Sequence, residues 1–123
     1  MNIIRSTLAL CFVALFTVSC ATMQSRYSML GNSYPQKPEG CDVQVFHDEV
    51  PQRPFVKISR LDVHLEKTHF INSSLDDALP ELKKQACLSG ADAIIEIRES
   101  SSMVWETRVY HVTATGVRYT NSQ

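Results

Sequence analysis

The sequence lacks a hydrophobic run long enough to cross a bilayer. Its uncharged apolar stretch, Leu8 to Val18, has 11 residues. As a helix these residues rise about 16 Å, roughly half of the hydrocarbon thickness that a spanning helix must cover. There is also no block of like charge, and the formal net charge is −1. The composition therefore gives no basis for nucleic-acid binding or for a polybasic membrane surface.

Catalytic and cofactor-binding motifs are absent as well. The chain contains no G-x-S-x-G elbow, no P-loop and no dinucleotide fingerprint. Asp76 and Asp77 are better explained by a helix N-terminus, whose partial positive charge favours carboxylates. We therefore expect no enzymatic activity, no catalytic residue and no cofactor.

Metal-ligand spacing is also missing. A zinc site needs three or four convergent ligands, usually including close pairs of Cys or His. His64 and His69 are five positions apart at the end of a predicted strand, which fits no usual spacing. Cys41 or Cys87 is a conceivable further ligand. The interpretation we favour is that the histidines are solvated or lie on edge strands, and we predict no metal site.

The N-terminal residues have the pattern of a targeting signal. Arg5 precedes the apolar stretch, which ends at Thr17-Val18-Ser19-Cys20. A basic segment followed by a short apolar one is typical of a secretory signal peptide. The last four residues resemble a lipobox, which implies cleavage before Cys20, a diacylglycerol on its sulfur and fatty acyl chains such as palmitate. The alternative is an ordinary secretory signal, with Cys20 as a bystander.

Residue 21 indicates which of the two membranes would hold the lipoprotein. In Gram-negative lipoproteins, Asp after the lipidated cysteine commonly retains the protein in the inner membrane. Ala21 stands there in this sequence. The resemblance therefore predicts an outer-membrane lipoprotein.

Three parts are predicted along the chain. Residues 1–19 form the signal peptide, whose removal from 123 residues leaves 104. Residues 20–40 have no sustained period and contain Pro35, Pro38 and Gly40, so we expect a flexible, lipidated tether. Alternatively, apolar residues within this segment pack on the domain. Residues 41–120 form the single globular domain.

The mature chain keeps two cysteines besides Cys20. Cys11 is removed with the signal peptide, which leaves Cys41 and Cys87 in an oxidising compartment. A disulfide between them is one outcome. Two separately buried thiols, or a thiol paired with another protein, are the others.

Hydrophobic periodicity predicts an α+β fold with the order β-β-α-β-β. We expect one helix packed on a small mixed or antiparallel sheet of about four strands. The third strand should place Ala91, Ala93, Ile95 and Ile97 on one face, and Ser100 to Ser102 should form a loop. The predicted strands are 41–47, 55–66, 91–98 and 103–119, and the predicted helix is 74–89.

Several local details remain open or conflict. The apolar parity changes within 55–66, so a bulge near Ser59-Arg60 or a two-sided strand is required. Residues 103–119 form either one long strand or a hairpin about Glu106-Thr107. Gly116 indicates a bulge or a close approach of backbones.

The helix has recognisable ends. Ser74 and Asp77 resemble a capping box, and Gly90 suits the αL position after the last turn. Pro80 is costly in a helix interior, so the helix either begins near Asp76-Asp77 or kinks at Pro80.

Two aromatic residues of the last predicted strand region, Trp105 and Tyr110, invite a functional interpretation. They could line a groove for a ligand or partner. Packing in the core or across strands is the interpretation we favour.

The pattern from residue 43 to 119 resembles the RcsF-like and YbjQ-like small bacterial outer-membrane lipoproteins. The resemblance lies in Val43 to Phe46, in Leu61-Asp62-Val63, in Ser73-Ser74 before the helix, in Gly90 to Ile94, and in Val109 to Tyr119. RcsF-like domains carry four cysteines in two disulfides, a number and placement that this sequence lacks.

The resemblance and the lipid signal together suggest a function. We expect a non-enzymatic envelope lipoprotein, anchored through Cys20 to the outer membrane and facing the periplasm, that binds an envelope protein as a sensor or adaptor. The alternative is a small-ligand or metal-binding lipoprotein domain. Neither hypothesis includes binding of nucleic acid.

Overall fold

The computed structural model describes residues 22–68 and 72–120. The predicted signal peptide, Cys20 and His69 lie outside these residues. Within them there are five strands and one helix: β1 (Thr22–Met29), β2 (Gln44–Val45), β3 (Phe55–Thr68), α1 (Leu75–Ser89), β4 (Ala93–Val104) and β5 (Thr107–Tyr119). No helix in the described part of the chain has the length and apolar character needed to cross a membrane.

The strands form one mixed sheet in the order β1-β3-β5-β4-β2. All neighbours are antiparallel except β2, which runs parallel to β4. Helix α1 packs on one face, where Leu61, Val63 and Leu65 of β3 meet Leu82 in the main core. The α+β class with one helix on a mixed sheet is confirmed. The predicted sheet of about four strands is one strand short.

The additional strand is β1, in the segment predicted to be a tether. It pairs with β3 along its whole length, from Thr22 opposite Glu66 to Met29 opposite Ser59. The flexible-tether prediction is therefore wrong for Thr22–Met29, which is part of the folded sheet although the domain was predicted to begin at residue 41. Tyr27, Met29 and Tyr34 pack against the main core, as the alternative interpretation allowed.

The sequence did not show the alternation of apolar and polar residues expected for strand β1, because a polar residue occupies one of its inward-facing positions. Ser25 faces the helix, where its hydroxyl donates to Glu81 (2.6 Å) and accepts from the Gln85 amide (2.8 Å). A serine at this position breaks the apolar period that marks a half-buried strand. At the other sheet edge, the predicted strand 41–47 is reduced to Gln44–Val45.

Two bulges set which residues face the core. In β3 the register shifts between Lys57 and Ser59, close to the predicted position, so Ile58 and Leu61 both reach the main core. In β4 it shifts between Ile95 and Arg98. One extra residue reverses side-chain parity.

The predicted single apolar face of Ala91, Ala93, Ile95 and Ile97 is wrong. Ala93 and Ile95 lie in a small second cluster with Val117, whereas Ala91 and Ile97 pack with the main core. The four residues therefore do not share one face.

Strand β4 is also longer than predicted. Ser100, Ser101 and Ser102 are paired with His111, Tyr110 and Val109 of β5. The predicted serine loop is wrong, because a partner strand supplies backbone hydrogen bonds that outweigh the weak strand preference of serine. The chain turns instead at Trp105-Glu106, between Val104 and Thr107, which form the last pair of a β-hairpin.

Helix α1 has the predicted ends. The Ser74 backbone N–H donates to the Asp77 carboxylate (2.9 Å), and Gly90 adopts φ 81° while its N–H and that of Ala91 donate to the last carbonyls. The carboxylate pKa of Asp77 is lowered, chiefly by this backbone hydrogen bond. The helix begins at Leu75, so Pro80 lies inside it, on its exposed side where solvent can replace the missing hydrogen bond.

Asp92, just before β4, contacts both the segment between β1 and β2 and the end of β5. These contacts predict that the free energy of unfolding decreases in acid. Its carboxylate pairs with Lys37 and accepts the Tyr119 backbone N–H (2.8 Å). Burial raises its pKa, but Lys37 and the Tyr119 N–H outweigh burial and lower the pKa below 3.8. A carboxyl group with a lowered folded-state pKa stabilises the fold above its unfolded pKa, and this contribution disappears as pH falls through the folded pKa.

We therefore expect the free energy of unfolding to fall between about pH 5 and about pH 2, and Asp92→Asn to reduce that fall. Urea denaturation across this range measures it. Asp42→Asn, at an exposed carboxylate, is the control. A fall of the same size in both variants would contradict the role of Asp92.

Candidate functional site

The sheet presents a polar surface on the side away from the helix. Alternate residues of β3 point to opposite faces, so Asp62, His64 and Glu66 face away from α1 while their neighbours enter the core. The register places Arg26 and Thr113 beside Asp62, and His111 beside His64. We call the side of the sheet that lies away from α1, over β1, β3, β5 and the part of β4 around Arg98, the outer face.

A charge network crosses the outer face. Asp62 lies between two cationic or titratable groups, His111 Nε2 at 2.7 Å and Arg26 at 3.8 Å. His64 Nε2 lies 3.0 Å from a Glu66 carboxylate oxygen, and the rings of His64 and His111 are 6.0 Å apart between centroids. The network lies beside a depression of about 380 Å³ lined by Gln24, Ser25, Arg26, Asp62, His64 and His111.

A second depression of about 270 Å³ lies farther along the same side of the sheet. Glu96 borders it and interacts with Lys57 and with the Thr115 hydroxyl (2.8 Å), and these hydrogen bonds lower the Glu96 pKa. Arg60 and Arg98 also border it, and neither forms an ion pair with another described residue. Lys57, Arg60 and Arg98 thus surround the single carboxylate of Glu96 at this depression, which leaves an excess of positive charge there.

The described residues contain no group of three or more His, Cys, Asp or Glu side chains placed to hold a metal. His64 and His111 share the outer face, whereas His47 pairs with Asp48 in the connection between β2 and β3. Cys41 and Cys87 cannot supply thiolate ligands because they are bonded to each other. His69 lies outside the described residues.

The disulfide between Cys41 and Cys87 is confirmed, with a Cα–Cα distance of 6.0 Å. It attaches the segment between β1 and β2 to the C-terminal half of α1. The Lys37 N–H donates to the Cys87 carbonyl (2.8 Å) beside it. The backbone of this segment passes very close to the C-terminus of the helix. A side-chain Cβ at Gly90 would lie only 2.7 Å from the Pro35 carbonyl oxygen, so there is room only for glycine.

The two aromatic residues have different environments. Tyr110 is buried in the main core and its hydroxyl donates to Glu99, and burial followed by this hydrogen bond raises its pKa. It is thus a packed, neutral phenol. Trp105 is 95% exposed at the hairpin turn. The favoured prediction of core or cross-strand packing holds for Tyr110 and is wrong for Trp105.

Trp105 is also held in an unusual backbone conformation. Its φ is 58°, in the left-handed region that favours glycine, at the first residue of a two-residue hairpin turn. We expect Trp105→Gly to raise the free energy of unfolding by about 1 kcal/mol, because glycine relieves this strain and no buried contact is lost. Urea denaturation measures the change.

The adjacent turn residue provides a matched control. Glu106 does not have a positive φ, so Glu106→Gly gains no relief and loses the lower unfolded-state entropy of a non-glycine residue. Equal effects of the two substitutions would show that Trp105 is not strained.

Comparison with known proteins shows the fold and no more. A crystal structure of the Francisella virulence factor FvfA, in its orthorhombic form, is similar to this chain with a TM-score of 0.55. The sequences are 17% identical, and the match covers 77% of this chain and 97% of that chain. No family model and no curated protein matches the sequence.

The structure groups few of the residues that sequence analysis singled out. Cys41 and Cys87 are bonded in the disulfide. Of the two histidines considered as ligands, His64 lies beside His111 on the outer face, and His69 lies outside the described residues. The outer-face positions of Arg26, Arg60 and Arg98 were not predicted. The alternation of charged and apolar residues in Arg60 to Glu66 was a signal for the β3 part of this surface.

Proposed function

We propose that this chain is a non-enzymatic outer-membrane lipoprotein, anchored through lipid on Cys20, whose domain faces the periplasm and binds an envelope protein as a sensor or adaptor. Its likeness to the RcsF-like and YbjQ-like lipoproteins is part of this proposal. The observation that supports partner binding is the outer face, a polar side of the sheet that the helix leaves uncovered.

The charge of the outer face suggests the chemistry of the partner. Arg60 and Arg98 lie exposed beside one depression without an ion pair in the described part of the chain. Arginine is enriched at protein interfaces and binds carboxylates through paired hydrogen bonds. The partner that fits best is a protein with exposed carboxylates, and the disulfide is compatible with an oxidising compartment.

Lipid attachment is tested at Cys20. Metabolic labelling with a radioactive fatty acid should mark the wild-type protein and spare Cys20→Ser. Ala21→Asp should keep the label and move the protein to the inner-membrane fraction, since Asp at this position is the retention signal in Gram-negative lipoproteins. Equal labelling of wild type and Cys20→Ser would overturn the anchor.

Partner binding is tested by photo-crosslinking in cells. A photoreactive amino acid at exposed position 28, which pairs with Arg60 on the outer face, should give a discrete adduct and leaves both arginines in place. The same amino acid at exposed position 83 on α1 should not. Arg98→Glu should reduce the position-28 adduct through charge repulsion. Adducts at both positions alike, or no adduct together with intact envelope-stress responses after gene deletion, would contradict the proposal.

The metal-binding alternative is distinguished by equilibrium dialysis. After dialysis against zinc or copper, elemental analysis should find no stoichiometric metal in the wild-type protein. Stoichiometric metal that is lost in His64→Ala and in His111→Ala would favour the alternative.

A further inference from the structure

The first described strand lies very close in sequence to the proposed lipid. Strand β1 starts at Thr22, two positions after Cys20. Two residues span at most about 7 Å, so a lipid on Cys20 would hold the Thr22 end of the sheet at the bilayer surface. This inference therefore rests on the proposed anchor.

The sheet register brings the hairpin tip to the same end. Thr22 pairs with Glu66, Glu66 with Val109, and Val109 with Ser102. Trp105 lies three positions beyond Ser102, in the turn that follows the end of β4 at Val104. At about 3.3 Å per residue, the tip extends about 10 Å past the level of Thr22, which is comparable with the reach of Cys20.

The residues at this end are suited to a membrane interface. Trp105 is 95% exposed, Val104 53%, and Met23 and Met103 48% each. Tryptophan is enriched at the level of lipid head groups, where its ring is partly in hydrocarbon and its N–H stays hydrated. Glu106 follows Trp105 in the turn, which limits the tip to the interface and keeps it out of the hydrocarbon centre.

The strained backbone conformation of Trp105 also supports a contact at this end of the sheet. A large apolar side chain stands at a positive φ and makes no buried contact that offsets the cost. Insertion of the ring into a membrane interface would supply a favourable contact from outside the protein. We propose that the β4–β5 hairpin tip, with Trp105 at its centre, inserts into the bilayer interface as a second contact beside the lipid on Cys20.

Fluorescence of Trp105 tests this directly, because the sequence contains a single tryptophan. The lipidated protein is purified from bacterial envelopes and reconstituted into vesicles of phosphatidylethanolamine and phosphatidylglycerol. Trp105 emission should lie at shorter wavelength than that of an exposed tryptophan, resist acrylamide and be quenched by brominated lipids.

A relocated tryptophan supplies the matched control. Val50 is 56% exposed in the connection before β3, whose first residues lie at the opposite end of the sheet. In Val50→Trp with Trp105→Phe, the same anchor is present but the reporter should stay accessible to acrylamide and unaffected by brominated lipids.

Each result decides a separate point. Vesicle-bound protein in which Trp105 is as accessible as the position-50 reporter would overturn the hairpin contact and leave the anchor intact. Protection from acrylamide without quenching by brominated lipids would show that another protein copy covers the tip, and would also overturn it. Absence of acyl chains by intact mass would overturn the anchor, and the hairpin inference with it.

Discussion

Replacing Cys41 and Cys87 together by alanine should lower the free energy of unfolding by about 4 kcal/mol. The disulfide joins residues 46 positions apart, and the chain-entropy model assigns this value to a loop of that length. Small domains have a total stability of only about 5–15 kcal/mol. The loss is therefore a large fraction of the total free energy of unfolding.

The effect should be concentrated in the segment between β1 and β2. This segment is held to α1 by the disulfide, by the Lys37 N–H on the Cys87 carbonyl and by the Lys37 ion pair with Asp92. Opening the disulfide removes the covalent attachment while the sheet pairing stays available. Amide hydrogen exchange should rise first at Lys37 and at the neighbouring C-terminus of the helix.

Urea denaturation with and without a reducing agent measures the loss. Reduction should destabilise the wild type by about the same amount as the double substitution and leave the double variant unchanged. Alanine is preferred at position 87 because the side chain is buried and a serine hydroxyl would need a partner. Equal midpoints for oxidised and reduced wild type would refute a stabilising role of the disulfide.

Replacing Gly116 by alanine should destabilise the domain by about 3 kcal/mol, the upper end of the usual cost of overpacking. A Cβ at this position would stand 2.3 Å from the Ser59 hydroxyl oxygen and 3.1 Å from the Ala91 Cβ. Ser59 cannot move away freely, since it is fully buried and its hydroxyl donates to Ser89 (2.8 Å). The Ser89 hydroxyl in turn donates to the Ala86 carbonyl (2.9 Å).

Two variants make this prediction specific. Gly31→Ala meets no atom within 4 Å and should change the stability by less than about 0.5 kcal/mol. Adding Ser59→Ala to Gly116→Ala removes the closest clash and should restore part of the loss, which a double-mutant cycle quantifies. Additive destabilisation by the two substitutions would show that the Ser59 contact is not the cause. Thermal or urea unfolding is the measurement.

The fold illustrates which features follow from local sequence. The ends of α1 were predicted because Ser74, Asp77 and Gly90 act on the backbone within a few residues of themselves. The change of apolar parity within β3 required either a bulge or a two-sided strand, and the structure has the bulge. The disulfide was one of several open outcomes, since the distance between Cys41 and Cys87 depends on how the segment before β2 crosses the helix.

The missed features all depend on partners distant in sequence. Thr22–Met29 has a weak strand pattern, and β3 makes it a strand by supplying hydrogen bonds along its whole length. Strand β5 does the same for Ser100 to Ser102. The reversal of faces at Glu96 follows from a bulge that no apolar pattern marks, with a non-glycine residue at φ 54°.

The sequence by itself determined the α+β class, the helix with its caps and the apolar strands of the core, and it carries the lipobox-like motif on which the proposed anchor at Cys20 rests. These depend on short-range periodicity, capping and motif chemistry, which the chain carries locally. Only the tertiary structure decided that β1 completes the sheet, that the arginines and histidines share the outer face, and that Trp105 lies at the same end as residue 22. The physical reason is that strand pairing joins residues far apart in sequence, so register and bulges determine which side chains become neighbours.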